Sequence, residues 1–164
     1  MDRAVAVVGS APSVEVLYRT DADRLWRAIH AFAGDGEIAS DAVAEAYAQV
    51  LHRGSAVRDP QAWTWRTAFR IASGALKSRR AAGADPSTVT EAAGDYRDRY
   101  TDTDLVDALG RLPDGQRAAV VLFYYADLPV STIAERLGSN SLAVRANLSR
   151  GRRRLRELLG DDDD

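Results

Sequence analysis

The 164-residue sequence has no cysteine, two histidines and, in Lys77, a single lysine. Without cysteine, the chain forms no disulfide and no cysteine-ligated zinc site. His30 and His52 stand apart from any carboxylate cluster, and the sequence has no nucleotide-binding loop, nucleophile elbow or metal-ligand spacing. We therefore expect a protein that is not an enzyme and that holds neither a metal nor a cofactor.

Long apolar runs are also missing. No stretch approaches the roughly 18–20 apolar residues of a membrane span, and the N-terminal AVAVVGSAP is too short and too weakly flanked for a signal peptide. Hydrophobic residues make up 46% of the chain and charged residues 28%, which is a normal soluble composition. The sequence predicts a cytoplasmic protein without a membrane partner.

Charges are distributed unevenly, although the net charge is only −2. Residues 61–80 hold five cations and no acid, and residues 117–160 carry a net charge of +5. Residues 81–116, between these blocks, carry −5, and the chain ends in four aspartates. Because a solvated surface usually mixes its signs, two segregated basic blocks indicate two contact sites for anionic partners.

Apolar residues recur at helical spacing almost throughout, and no segment has the alternation of a strand. The predicted helices span residues 14–33, 38–52, 60–80, 104–111, 116–126, 130–137 and 141–159. Between 81 and 103 the chain is small, polar and acidic without an apolar period, which is typical of a linker. The sequence thus predicts an all-α protein of two small helical domains joined by a flexible linker.

The predicted domain boundaries follow these changes in composition. They are an N-terminal tail at 1–13, a helical domain at 14–80, an acidic linker at 81–103, a second helical domain at 104–160 and an acidic tail at 161–164. Asp59 and Pro60 suit an N-cap and a first helical position, so they open the last helix of the first domain.

A helix-turn-helix pattern lies in VSTIAERLGSNSLAVRANLSR. Ala134 lets two helices approach, Gly138 permits a left-handed turn, and Val144 anchors the second helix. Either Asn140 or Ser141 can cap that second helix. The spacing therefore predicts two short helices packed across a tight turn.

The second of these helices has a buried stripe and an arginine-rich outer face. Val144, Leu148 and Leu155 keep one side apolar. The residues expected to point outward are Arg145, Asn147, Ser149, Arg152 and Arg156. No acid intervenes before Glu157, whereas a solvated surface helix usually interleaves glutamates. This face suits contact with the phosphates and base edges of nucleic acid.

The chain resembles bacterial extracytoplasmic-function (ECF, group 4) RNA polymerase sigma factors of the sigma-70 superfamily. Residues 105–159, LVDALGRLPDGQRAAVVLFYYADLPVSTIAERLGSNSLAVRANLSRGRRRLRELL, match the framework of that family's region 4 almost throughout. LYRTDADRLWRAIHAFAGD, SDAVAEAYAQVL and DPQAWTWRTAFRIASGALKSRR resemble the helices of region 2 more loosely.

This resemblance implies both a fold and a function. Region 2 is expected to be a bundle of three to four helices, and region 4 a helix-turn-helix bundle. The implied function is that of an alternative sigma factor, which binds core RNA polymerase at the β′ clamp helices and the β flap. It directs initiation at promoter DNA through the minus-ten and minus-thirty-five elements. An anti-sigma factor or another regulatory protein is a further expected partner.

Region 4 of the family contacts the minus-thirty-five element with its recognition helix. The residues that the resemblance places at that contact are Ser141, Arg145, Asn147, Arg150, Arg152, Arg153 and Arg156. Arg145 falls on a usually basic position, whereas Asn147 replaces a frequent arginine. Ser139 replaces a frequent aliphatic residue and Leu142 a small one. We therefore expect a promoter preference of its own, with the later arginines on phosphates.

Region 2 of the family captures the unwound non-template strand of the minus-ten element, and single strands are held by aromatic stacking and cations. The candidate residues are Trp63, Trp65, Arg66, Arg70, Lys77, Arg79 and Arg80. Two tryptophans two positions apart cannot share a helix face, so one is expected in the core and the other at the surface. Ser73 and Gly74 stand where relatives commonly have arginine and asparagine.

Core polymerase is expected to dock on the helix at 38–52. Asp41 and Glu45 lie one turn apart on a face expected to carry Tyr47 as well, and this face can pair with arginines of a partner helix. Ala44 replaces a usual glutamine. From the residues alone, a solvated acidic face is the alternative interpretation.

Two other functions remain open, namely a stand-alone helix-turn-helix regulator and a polymerase-binding decoy that does not support initiation. The departures in region 2 favour them, whereas the two-domain layout and the basic block at 61–80 favour an active sigma factor. Co-purification with core polymerase distinguishes a sigma factor from a stand-alone regulator. Promoter-dependent transcription distinguishes it from a decoy.

Overall fold

The computed structural model describes residues 12–83 and 103–160. Both ranges are built of helices and contain no strand. Most of the predicted linker and both terminal tails lie outside the described residues. Within the two ranges, no helix is long and apolar enough to cross a bilayer. Their side chains also include no group of three or more His, Cys, Asp or Glu residues that could hold a metal ion.

Three long helices form the N-terminal group. They are α1 (Val14–Ala33), α2 (Gly36–Arg53) and α3 (Pro60–Ala81), with one 3-10 turn at Gly54–Ala56 after α2. Each begins at a side-chain cap, because Ser13, Asp35 and Asp59 each accept a hydrogen bond from a backbone N–H three residues later. The predicted start of α3 at Asp59 and Pro60 is confirmed.

Four helices form the C-terminal group. They are α4 (Thr103–Gly110), α5 (Asp114–Val120), α6 (Val130–Leu137) and α7 (Ser141–Leu159). Helix α5 continues into a π-helical segment, Val121–Tyr125, whose last turn is closed by a 3.1 Å bond from the Ala126 N–H to the Val121 carbonyl. The predicted bounds of α6 and α7 are confirmed, whereas the single helix predicted over 116–126 is α5 followed by this wider turn.

The core runs through both groups. Its fully buried large side chains include Leu25, Ile29, Phe32, Val50 and Trp65 from the first group and Leu112, Leu122, Ile133 and Val144 from the second. Each such side chain contributes roughly 1.5–3 kcal/mol when it leaves water. The helical spacing of these residues is what folds each group around its own part of the core.

The two groups also pack against each other. Helix α3 lies against α6, and α1 lies against the π-helical segment and α4. The buried residues of both groups form one continuous cluster. The two helical groups are those predicted from the sequence, but the sequence pattern gives no sign of this mutual packing.

Candidate nucleic-acid interface

The helix-turn-helix is formed by α6, a short turn and α7. Gly138 ends α6 in the left-handed backbone conformation, with φ at +64°, which a glycine adopts without strain. Ser139 donates its N–H to the Ala134 carbonyl at 2.8 Å. The Asn140 side chain accepts a 2.9 Å bond from the α7 backbone, so the cap is Asn140 and not Ser141. The predicted motif is confirmed.

Helix α7 is held closely against α5. Val144 and Leu148 are 1% and 2% exposed, and Gly151 is buried as well. A methyl group on Gly151 would lie only 2.8 Å from Val120 Cγ2. The two helices can therefore approach this closely because residue 151 has no side chain, and that contact fixes how α7 projects from the domain.

The six arginines of α7 are all exposed. They are Arg145, Arg150, Arg152, Arg153, Arg154 and Arg156. The acid of this helix, Glu157, lies 3.2 Å from Arg154, and Arg152 donates to the Tyr124 hydroxyl at 3.1 Å. The outer surface of α7 therefore carries positive charge over about three turns, as phosphate contact requires.

Ser141 and Asn147 lie closer to the core than these arginines, and both are half-buried. Asn147 Nδ2 is 3.3 Å from the place where a methyl group on Gly115 would stand, so this side chain lies against the first turn of α5. The expectation that Asn147 points outward is therefore wrong. Its position three residues after Val144 and four before Gly151 places it at the edge of the buried stripe.

The two tryptophans of α3 have different surroundings. Trp65 is 1% exposed, and its indole N–H donates to the Asp21 carboxylate at 2.6 Å. Trp63 is half-buried at the surface, with the Arg53 guanidinium 5.3 Å from its ring centroid. Trp65 is therefore the core residue of the pair. Because its ring is covered, the expectation that Trp65 stacks on a DNA base is corrected to a structural role.

The outer side of α3 carries the exposed cations Arg66, Arg70 and Lys77, and Arg80 near the end of the helix is exposed as well. Arg66 donates to the Glu135 carbonyl at 3.2 Å and packs against Gly138, so it contacts the helix-turn-helix. Arg70 and Lys77 follow on the exposed part of the same helix. Together they form a cationic strip beside Trp63.

The two cations at the end of α3 are paired with acids. Arg79 donates to the buried Asp35 carboxylate at 2.6 Å, and Arg80 lies 3.5 Å from Asp114. Burial alone would raise the pKa of the Asp35 carboxyl, but hydrogen bonds from the Ile38 N–H and from Arg79 outweigh it and hold this pKa below its ordinary value. Arg79 thus has a structural partner that the sequence did not indicate.

The acidic face of α2 consists of Asp41 and Glu45, which are both exposed. Tyr47 is only 6% exposed, and its hydroxyl donates to the Leu17 carbonyl at 3.3 Å. Burial, followed by the charge of Asp21, raises the Tyr47 pKa to about 12. The expectation that Tyr47 shares the exposed acidic face is therefore wrong, because its ring belongs to the core.

Arg136 of α6 reaches into the N-terminal group. Arg136 is 8% exposed, and its guanidinium lies 4.9 Å from the ring centroid of Trp65. Burial lowers the pKa of Arg136, and the nearby carboxylates of Asp21 and Asp59 oppose that change. A cation of the helix-turn-helix thus covers the tryptophan that the sequence had assigned to DNA.

Two further arginines join the groups through backbone carbonyls. Arg117, 3% exposed, donates to the Phe32 carbonyl at 3.0 Å and to the Leu112 carbonyl at 3.1 Å. Arg24 of α1 donates to the Ala126 carbonyl at 2.7 Å. Sequence reasoning assigned no role to these residues.

An apolar groove of about 900 Å³ lies along one side of α7. Its aliphatic lining comprises Ala31 of α1 together with Leu105, Leu109, Val120, Val121 and Leu155. Tyr124 and Tyr125, each more than half exposed, stand at its edge together with Arg152 and Arg156. These two arginines therefore border an apolar surface, whereas Arg145 does not line it.

Comparison with known proteins gives a consistent result. Residues 102–155 match the family described as Sigma-70, region 4. The chain is 28% identical over 142 residues to RNA polymerase sigma factor SigV of Bacillus subtilis, which covers 84% of this chain and 86% of that protein. It is 32% identical over 110 residues to ECF RNA polymerase sigma factor SigK of Mycobacterium sp. (strain KMS), covering 62% of this chain and 57% of that one.

The fold is similar to that of the sigma factor RpoE in a co-crystal structure with the anti-sigma factor NepR from Bartonella quintana. The TM-score is 0.71 at 20% sequence identity, and the match covers 90% of this chain and 97% of that chain. At this identity the likeness establishes the all-helical fold.

Proposed function

We propose that this chain is an alternative sigma factor of the extracytoplasmic-function group, which its similarity to Sigma-70 region 4 and to the sigma factors SigV and SigK supports. In this proposal it uses three separate surfaces to bring core RNA polymerase to promoters. Helix α7 binds the minus-thirty-five duplex, the outer side of α3 binds the unwound minus-ten strand, and the acidic face of α2 binds polymerase. The observation that carries the proposal is the exposed arginine surface on the second helix of a helix-turn-helix.

Helix α7 is long enough to make two kinds of DNA contact, one with bases and one with phosphates. Arg145 lies near its start, where a recognition helix meets base edges in the major groove. Arg153 lies two turns later, about 12 Å along the helix axis, where the helix meets phosphates. Ser141 lies in the first turn with Arg145, whereas Asn147 supports the seating of α7 on α5. The order of residues along α7 thus separates base contact from phosphate contact.

The outer side of α3 supplies the chemistry that a single strand needs. Trp63 is the accessible aromatic ring, and Arg66, Arg70 and Lys77 follow with their cations exposed. Stacking on an aromatic ring and cations along the backbone together hold single-stranded DNA. Trp65 has no direct part in this contact because it is covered.

Strand capture along α3 requires the two helical groups to separate. Arg66 is engaged with the Glu135 carbonyl and with Gly138 of the turn, so DNA at Arg66 would occupy the place of the helix-turn-helix. Arg80 is likewise close to Asp114 of the C-terminal group. We therefore assign the closed arrangement to the protein before it binds promoter DNA.

Polymerase contact is proposed for the exposed acids of α2. Asp41 and Glu45 stand one turn apart without Tyr47, so the contact is one of charge and not of aromatic packing. The apolar groove beside α7 is a second surface of the kind that protein partners cover. We assign this groove to the β flap of polymerase.

Charge reversal on α2 tests the polymerase contact. Asp41→Lys with Glu45→Lys should weaken binding to core polymerase at least tenfold, because both carboxylates would become cations facing a cationic partner. The matched control is Glu15→Lys with Asp23→Lys, which reverses two exposed acids of α1. Binding to core polymerase is measured at moderate salt for the parent, the α2 variant and the α1 variant, with helical circular dichroism as the check on folding. Equal affinities of all three would mean that the α2 face is a solvated surface and not a polymerase contact.

Run-off transcription is the direct test of the function. The chain mixed with core polymerase should produce transcripts from promoters enriched by the assembled enzyme, and neither component should do so alone. Polymerase binding without transcripts would make the chain a decoy, which the departures at Ser73 and Gly74 favour. Duplex binding without polymerase binding would make it a stand-alone regulator.

A further inference from the structure

Leu142 is the most exposed large hydrophobic residue in the described part of the chain. It is 77% exposed, in the first turn of α7. A single exposed leucine is ordinary on a protein surface. Leu142 differs because it stands on the outer face of a recognition helix, one turn before Arg145, and α7 has no acid before Glu157.

The helical geometry places Leu142 opposite the core. Successive residues are rotated by about 100° around a helix, so Leu142 lies about 200° from Val144 and about 240° from Leu148. Arg145 is only about 60° away, and Ala146 follows one turn later on the same side. The outer face of α7 therefore presents an apolar side chain directly beside its first cation.

Leu142 does not belong to the apolar groove. That groove is lined on α7 by Ser149, Arg152, Leu155 and Arg156, all in the later turns of the helix. Leu142 also lies outside the core cluster and the residues packed against it. Neither the groove nor the packing of the two helical groups accounts for its position.

We propose that Leu142 contacts the C5 methyl group of a thymine in the major groove and so helps to determine which minus-thirty-five sequence the chain prefers. The inference rests on the proposed duplex binding by α7. Residues in the first turns of a recognition helix contact base edges, and the thymine methyl is the apolar feature of that groove. Leu142 and Arg145 are about 4.5 Å apart along the helix axis and bases are about 3.4 Å apart, so the thymine lies within about two base pairs of the base contacted by Arg145.

Deoxyuridine isolates this contact, because it pairs as thymine does and lacks only the methyl group. Duplexes are first enriched from a random pool by the full chain assembled with core polymerase. Each thymine of the preferred upstream element is then replaced singly by deoxyuridine. At one position the wild-type assembly should lose about three- to fivefold in affinity, as expected for one buried methyl group.

The same series is measured with Leu142→Ala, which keeps the helix intact because alanine is a strong helix former. This variant should bind the thymine duplex three- to fivefold more weakly and should show no further loss on deoxyuridine. Leu51→Ala removes a leucine that is 69% exposed in the other helical group and should retain the wild-type pattern. The effects of Leu142→Ala and of the deoxyuridine replacement are thus non-additive only at the position where the leucine contacts the thymine methyl group.

The possible outcomes distinguish duplex recognition by α7 from the specific contact between Leu142 and thymine. If no duplex is enriched over random DNA, duplex recognition by α7 fails and this inference fails with it. If a sequence is enriched but deoxyuridine costs nothing at any position, duplex recognition stands and the role of Leu142 is overturned. The same holds if the deoxyuridine loss persists undiminished in Leu142→Ala.

Discussion

Asp35 links two helices through one carboxylate. One oxygen caps α2 by accepting a 2.9 Å bond from the Ile38 N–H, and the other accepts a 2.6 Å bond from Arg79 of α3. The residue is 3% exposed, so little water screens either contact. The pKa of Asp35 lies below its ordinary value because these hydrogen bonds outweigh burial. Its charge therefore stabilises the N-terminal group at neutral pH.

Asp35→Asn should keep the cap and remove the charge that faces Arg79, since asparagine is an equally good N-cap. We expect the free energy of unfolding to fall by about 1–2 kcal/mol at pH 7. A lowered folded pKa gives stability that is present above the unfolded value and is lost as pH falls through the folded value. The difference between the two proteins in urea unfolding should therefore shrink below about pH 4. An equal difference at pH 7 and pH 3 would assign the effect to geometry and not to charge.

Gly74 is a second residue whose substitution has a clear expected sign. It lies exposed in the interior of α3, and no heavy atom stands within 4 Å of a methyl group placed on it. Gly74→Ala should raise the free energy of unfolding by about 1 kcal/mol, as glycine costs that much in a helix interior. Gly138→Ala is the matched control with the opposite sign. It should lower the free energy of unfolding, because φ is +64° there and Arg66 lies 3.0 Å from the added methyl group. If Gly74→Ala fails to stabilise the chain in thermal unfolding, α3 gains something from glycine that its surroundings do not indicate.

At the scale of helices, capping and turn residues predict where a helix begins and ends, and the spacing of apolar residues predicts which face is buried. Gly138 and Asn140 mark the turn before α7, so α6 and α7 were predicted without error. Tyr47 lies four residues after Val43 and three before Val50, which is the spacing of a core face. That spacing could have corrected the assignment of Tyr47 to the acidic face from the sequence alone.

Other features of the helices could not be derived from the pattern. Trp63 and Trp65 lie about 200° apart on α3, and periodicity cannot decide which of two large apolar faces meets the core. Leu51 follows the fully buried Val50, yet it is 69% exposed because α2 packs on α1 and α3 through its other residues. These outcomes depend on the partner helix and not on the helix itself.

Helix α7 provides the prediction that belongs to this scale. Arg145→Ala should weaken binding to the preferred minus-thirty-five duplex by roughly 1–3 kcal/mol and have much less effect on a scrambled duplex. Arg153→Ala should weaken both duplexes about equally and lower the salt slope by about one unit, because a phosphate contact carries no sequence information. Binding of both variants to both duplexes across a salt series measures the difference. An equal loss on both duplexes for Arg145→Ala would make Arg145 another phosphate contact.

At the scale of the whole molecule, arginines hold the two helical groups together, and three of them act in addition to Arg66 and Arg80 of α3. Arg24, Arg117 and Arg136 each reach from one group to a carbonyl or a ring of the other. In the sequence Arg117 and Arg136 look like scattered cations, since only tertiary packing places them inside. An arginine three residues after Ile133, on the apolar side of a short helix, was the signal available for Arg136.

The packing contact between the two helical groups contains buried polar groups that lack a hydrogen-bond partner among the described residues, and this favours separation of the groups. Arg136 Nη1 is buried without a hydrogen-bond acceptor in the described ranges, and a buried donor in that state costs about 1–3 kcal/mol. Separation of the groups would let water bond to it. The closed arrangement therefore gains from apolar burial around Trp65 and loses at Arg136, and a partner that binds the open arrangement better shifts the equilibrium towards it.

Arg136→Glu should open the molecule, because it places a carboxylate near Asp21 and Asp59 where a cation now stands. The chain has no cysteine, so Ser55→Cys in the exposed 3-10 turn after α2 and Ser131→Cys on α6 provide two unique labelling sites. The distance between the two labels, measured by energy transfer, should lengthen in Arg136→Glu relative to the doubly labelled parent. It should also lengthen in the parent when core polymerase and melted promoter DNA are added.

Arg111→Glu is the control, since Arg111 is an exposed arginine between α4 and α5 and its reversal changes the net charge by the same amount. It should leave the distance between the labels unchanged. Because Arg66 contacts the helix-turn-helix in the closed state, Arg136→Glu should also bind a single-stranded minus-ten oligonucleotide more tightly than the parent does. Promoter binding at an unaltered label distance would mean that the strand reaches α3 while Arg66 still holds the Glu135 carbonyl, and the proposed order of opening before capture would be wrong.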